Sequence, residues 1–174
     1  MTPVGTGEWK RREGPPENEI PGPLDWAGLL GGGPDFAVIL VSAAAYSTGL
    51  RLDVGIRARV AVPGEELFDA IDDTSNRPDR LILAVEFADG RTTTTNQPVR
   101  HLAPDTPSLR LDGAWGSDRW IDLTMFLHPL PPPGPLTALC SWPGHGIATT
   151  RTVLDSTSAH TAAQQVQQLW HQPP

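Results

Sequence analysis

Between Leu50 and Val62 apolar and polar positions alternate: Leu50, Leu52, Val54, Ile56, Ala58, Val60 and Val62 are separated by Arg51, Asp53, Gly55, Arg57, Arg59 and Ala61. Side chains two apart share one face of a strand, so this pattern predicts apolar groups inside and charges in water. The apolar run Phe36–Ser42 predicts a partner strand. Tyr46-Ser-Thr-Gly49 is the turn between them, with Gly49 able to take a positive φ. After Pro63-Gly64, the spacing of Leu67, Phe68 and Ile71 predicts one or two helical turns over Glu65–Ile71, then a polar loop from Asp72 to Asp79. Leu81, Leu83, Val85 and Phe87 alternate again, Asp89-Gly90 is a hairpin signal, and Arg91–Thr95 is the return strand.

Asn96–Pro107 reads as a loop, and Leu109 and Leu111 as a short strand ended by Gly113. Trp120–His128 has two faces: Ile121, Leu123, Met125 and Leu127 on one, Trp120, Asp122, Thr124, Phe126 and His128 on the other. Leu136–Trp142 and Ala148–Leu154 complete the strands. The period then changes. Asp155 or Ser156 can cap a helix, and Ala159, Ala162, Ala163, Val166, Leu169 and Trp170 fall on one helical face. Short strands at close turn intervals, with no helix long enough for a parallel crossover, predict an all-β antiparallel sandwich, immunoglobulin-like in general form, with one C-terminal helix. A partly closed barrel is the alternative. The expected layout is an irregular Gly/Pro-rich arm over 1–34, a sandwich domain over 35–154 and a packed helix over 155–174. The arm contains Ile20, Leu24, Trp26, Leu29 and Leu30, which are apolar enough to dock either on its own domain or on a partner.

Composition narrows the function classes. The 174-residue chain carries a net charge of −7, and its one basic cluster, Lys10-Arg11-Arg12, is flanked by Glu8 and Glu13. This argues against a dedicated nucleic-acid binder, which needs a basic stripe. Lys10 is the sole lysine, so a Schiff-base or phosphate-gripping lysine is not expected in the domain. The abundance of Ala, Gly, Pro and Arg suggests a GC-rich, actinobacterium-like genome. No stretch approaches the roughly 18 apolar residues of a membrane span, and no secretory signal pattern opens the chain. With a single cysteine, Cys140, the expectation is the cytoplasm.

The segment Pro129–Arg151 contains a Pro-rich link, a strand ending in Cys140-Ser-Trp-Pro143, the turn Gly146-Ile147 and the strand Thr149-Thr-Arg151. In this order these blocks resemble a family of uncharacterised actinobacterial proteins. The Tyr46-Ser-Thr-Gly49 turn and the Leu169-Trp170 pair are also similar to that family. Two departures stand out: Ser141 where the family often has an acid, and Ala148 where proline is common. The resemblance implies the sandwich domain and carries no activity.

Chemical motifs are sparse. Cys140 and His145 form the obvious nucleophile–base pair, yet Cys140 lies mid-strand with apolar neighbours, as a small buried hydrophobe would. His101, His128, His145, His160 and His171 lack metal-ligand spacing. Glu65, Glu66, Asp69, Asp72 and Asp73 miss the calcium-loop pattern and read as a solvated acidic face. Pro129–Pro135 reads as a stiff connector between strands, with a polyproline II ligand as the alternative. Trp115, Trp120 and Trp142 are the candidate recognition aromatics; Trp115 stands out because Gly113 and Gly116 place it in a loop, and the competing reading of Trp142 is core.

The leading expectation is a non-catalytic protein-binding or assembly module, with no cofactor and no metal. It would act through Trp26, Leu29, Leu30, Trp115 and His145, on another protein or a second copy, with no nucleic acid or membrane partner. The alternative is a hydrolase or metal-dependent enzyme built from Asp122, His128, Cys140 and His145, which requires those four to share a pocket. A further alternative is an accessory factor of a mobile-element or defence system.

Overall fold

The computed structural model describes residues 14–71, 79–95, 103 and 105–170. Among the described residues, twelve strands and two α-helices follow in chain order: β1 (Glu19–Ile20), β2 (Gly22–Leu24), β3 (Gly28–Gly32), β4 (Phe36–Tyr46), β5 (Gly49–Ala58), α1 (Gly64–Asp69), β6 (Ile82–Glu86), β7 (Thr92–Thr94), β8 (Ser108–Gly116), β9 (Trp120–His128), β10 (Pro135–Trp142), β11 (Ile147–Asp155), α2 (Ser156–Ala163) and β12 (Gln167–Gln168). The larger sheet has six strands in the order β2-β4-β5-β9-β8, with β3 also on β4. The smaller sheet runs β11-β10-β6-β7, and β1 pairs with β12. All these pairings are antiparallel, giving the all-β sandwich.

The alternating positions line the space between the two main sheets. Leu50, Leu52, Val54 and Ile56 of β5 are buried, as are Ile121, Leu123, Met125 and Leu127 of β9. Leu83 and Val85 of β6, and Leu136, Cys140 and Trp142 of β10, close the core from the smaller sheet. Asp89-Gly90 turns the β6–β7 hairpin: Gly90 N–H donates to Phe87 O at 2.9 Å, and Gly90 takes φ 85°, which a side chain would oppose. Among the described residues no helix is long and apolar enough to cross a membrane.

The segment expected as an arm is part of the sandwich from residue 22 onward. β2 and β3 occupy successive halves of the free edge of β4, pairing with Ala43–Ala45 and Ala37–Leu40 respectively. The physical reason is an open edge. β4 is long, apolar and unpaired on that side, so even glycine-rich chain gains ladder hydrogen bonds there. Glycine also allows the approach: a Cβ at Gly31 would lie 2.9 Å from both Cys140 Sγ and Ile147 Cγ2. Thr150 Oγ1 of β11 donates to Leu30 O, so β3 bridges the two main sheets. Trp26 and Leu30 are buried, and Trp26 Nε1 donates to Ser158 Oγ at 3.2 Å. Residues 1–13 of the expected arm lie outside the described residues.

Three further expectations are corrected. Gly49 does not take a positive φ; it is required because a Cβ there would overlap Leu127 O and the Phe126 ring. The C-terminal helix stops at Ala163 rather than continuing through Trp170. Asp155 does cap it, its carboxylate accepting from Thr157 N–H at 2.9 Å. Past Ala163 the chain turns, and Asn18 takes over: Asn18 O accepts from Leu169 N–H, and Asn18 Oδ1 from Trp170 N–H. An Ala/Gln-rich helix with few apolar contacts yields to that pairing. Finally, β8 runs through Gly113 to Gly116, using a bulge between Leu111 and Gly113, so Trp115 lies on a strand and not in a loop.

Candidate functional site

The outer face of the larger sheet is polar and aromatic where its inner face is apolar. At its middle, Asp53 accepts from Ser42 Oγ at 2.6 Å and from Thr124 Oγ1 at 3.3 Å. Toward the other end of β5 and β9 lies a depression of about 470 Å³ lined by Arg57, Ala58, Trp115, Arg119, Trp120 and Asp122. Register explains the gathering. Gly55 pairs with Asp122 and Arg57 with Trp120 across β5–β9, while Trp115 pairs with Asp122 across β8–β9. The β8–β9 hairpin closes through Ser117 N–H to Trp120 O at 2.8 Å, which carries Arg119 to the rim.

Gly55 is the hidden determinant. A Cβ there would stand 2.7 Å from Arg57 Nη1, so only glycine leaves the slot into which the guanidinium folds. Arg57 Nη1 then donates to Asp122 Oδ1 at 2.7 Å and to Ile56 O at 3.0 Å, and its guanidinium carbon lies 5.9 Å from the Trp120 ring centre. The ion pair is half-exposed, so its worth is positional: about 0–1 kcal/mol of stability. Trp115 meets Trp120 edge-on, centroids 4.7 Å apart at 90°, and remains 67% exposed. Neither indole N–H has a hydrogen-bond partner, and the Arg119 guanidinium has no ion-pair partner, among the described residues.

The expected binding residues separate. Leu29 and Trp115 are exposed on the same face, in one cross-strand row that runs Leu29, Ile39, Gly55, Asp122, Trp115, about 19 Å from edge to edge at strand spacing. Trp26 and Leu30 point into the core. His145 sits in the turn after β10, its ring 4.4 Å from both Phe36 and Trp142, as a partly buried closure of the core.

The constellation of Asp122, His128, Cys140 and His145 does not assemble. Asp122 is on the outer face, held by Arg57. His128 is six residues further along the same strand, about 20 Å away, with Nδ1 3.0 Å from Thr48 O. Cys140 faces the interlayer, where burial pushes its thiol up to about 11, opposite to what a nucleophile needs. Among the described residues no group of His, Cys, Asp and Glu could hold a metal ion. Of the acidic cluster, Asp72 and Asp73 lie outside the described residues, as do His101 and His171.

Arg57, Arg119 and the binding side of Asp122 were not legible as site residues, since their meeting depends on register. One signal was present: two tryptophans five apart, Trp115 and Trp120, flanking a Gly-Ser-Asp turn, which a hairpin would bring together on one face. Comparison of the chain with family models, with curated proteins and with solved structures finds no match.

Proposed function

We propose that the chain is a non-catalytic module of the bacterial cytoplasm that binds another protein through the outer face of its larger sheet. One observation carries the reading: Trp115 stands 67% exposed on a regular strand, backed by Trp120 and by a fixed Arg57–Asp122 pair. Exposed tryptophan with arginine beside it is the composition of interface hot spots, where a few rigid anchors supply most of the binding energy. The sheet holds Trp115 and Trp120 in place, so little rotamer freedom is lost on docking. A lone, buried thiol suits the reducing cytoplasm. Kinship with the actinobacterial family belongs to the same proposal, supported by the Cys140-Ser-Trp-Pro143 and Gly146-Ile147 blocks.

The test is site-specific photo-crosslinking in the host cell with the reactive residue at Gly113, two residues from Trp115 on the same face of β8, where an added side chain meets open space. The expected result is one discrete protein adduct that disappears in Trp115→Ala and persists in Trp170→Ala, a change at another exposed tryptophan. No adduct, or one indifferent to Trp115→Ala, overturns the reading.

A further inference from the structure

The hydrogen-bonding character of the depression specifies its occupant. Among the described residues its unengaged polar groups are mainly donors: the Trp115 and Trp120 indole N–H groups and the Arg119 guanidinium. Of the one lining carboxylate, Asp122, Oδ1 is held by Arg57 at 2.7 Å, which leaves a single oxygen to accept. A ligand rich in hydroxyl or amide N–H groups would leave most of its own donors without acceptors here, and unmet donors are costly once desolvated. A ligand that mainly accepts meets no such penalty. Proline-rich backbone is of this kind, because proline has a carbonyl and no N–H. The right-angled indole pair forms a notch suited to a pyrrolidine ring rather than a flat shelf for a planar one. The charge balance adds one more requirement. Arg57 is neutralised by Asp122 while Arg119 is not, so the lining carries one uncompensated positive charge in a chain whose net charge is −7.

We infer that the Trp115–Trp120 notch, with Arg119 at its rim, binds a proline-rich segment of a partner protein in polyproline II form that carries an acidic side chain; this rests on the protein-binding reading above. The chain's own Pro129–Pro135 connector is not the ligand in a second copy. Pro131 is buried, Pro131 O meets His160 Nε2 at 2.6 Å, and Pro132 O accepts from Ser156 Oγ.

The experiment is titration of the full chain, followed by tryptophan fluorescence and calorimetry, with three synthetic peptides and one sugar. The peptides are an acetylated proline-rich octamer containing two Glu, the same peptide with Gln, and the same with Lys; the sugar is a linear glucose hexasaccharide. The Glu peptide is expected to bind most tightly, the Gln form more weakly and the Lys form weakest. Trp115→Ala should weaken the Glu peptide by about thirtyfold or more. Arg119→Glu should reverse the order of the Glu and Lys peptides, an effect that mere loss of packing would not produce. Failure of all three peptides, binding that survives Trp115→Ala, or Trp115-dependent binding of the sugar overturns the inference. If the peptides fail while the Gly113 crosslink persists, this inference falls and the protein-binding reading stands. If the crosslink also fails, both fall.

Discussion

Among the aromatic clusters of this sandwich, one is closed and another open. In the closed cluster Trp142 is 1% exposed, its ring 5.0 Å from Phe36 and 4.4 Å from His145. In the open one Trp115 rests edge-on against Trp120 and faces water. Both tryptophans have a glycine or proline as next neighbour, and both lie near the end of a strand. What separates them is the face. Trp142 points into the interlayer and is overlaid by the β4 edge, whereas Trp115 is on the outer side of an edge strand with nothing above it among the described residues. Composition is shared; the parity of a single residue along a strand decides between core and surface.

The comparison breaks most sharply under truncation of the closed cluster. Trp142→Ala is expected to destabilise the fold by about 3–5 kcal/mol, because it removes a large buried side chain from a site hemmed in by two sheets. Urea denaturation would show it as a large drop in midpoint; a loss below about 1 kcal/mol would mean the cluster is not core.

A second test titrates the interlayer itself. Because burial raises the Cys140 thiol from 9.0 to about 11, the stability it contributes is fully present below pH 9.0. Between these values the unfolded thiol ionises while the native one does not, so stability should fall by about 1.4 kcal/mol per pH unit, the loss being complete as pH rises through the native value. Denaturation curves over that range should show the slope in the native chain and not in Cys140→Ala.

The smallest expected effect is at the open cluster. Trp115→Ala should leave stability within about 0.5 kcal/mol, as for other surface changes away from structural features. A much larger loss would make Trp115 a structural residue and remove the distinction between the two clusters.

Much of the architecture was legible because period-two burial is a local property. The inward faces of β5 and β9 follow residue by residue from the alternation of Leu50–Ile56 and Ile121–Leu127, and Asp89-Gly90 announced its own hairpin. Docking of residues 22–32 on their own domain was one of the two readings of the arm, but their pairing as strands was not legible because nothing in a glycine-rich segment reveals a distant edge to pair with. Their stability comes from β4 and from Thr150, 120 residues beyond Leu30. The end of α2 was misread for the same reason, its competitor being Asn18. The site was half legible. Trp115 was identifiable by chemistry, while Arg57 became a site residue only through the absence of a side chain at Gly55 and the register that sets Asp122 opposite.

The seating of β2 beneath α2 has a consequence for biosynthesis. Gly22 lies so close to Ala162 that no Cβ fits between them, and Trp26 is tethered to Ser158, 132 positions further on. During translation the early edge strands therefore emerge long before the helix that covers them, and contacts of such high sequence separation are slow to form. Until that helix leaves the ribosome, the β2 strand on the β4 edge lacks the cover of Ala162 and Ser158, so this part of the sheet is the last to be secured.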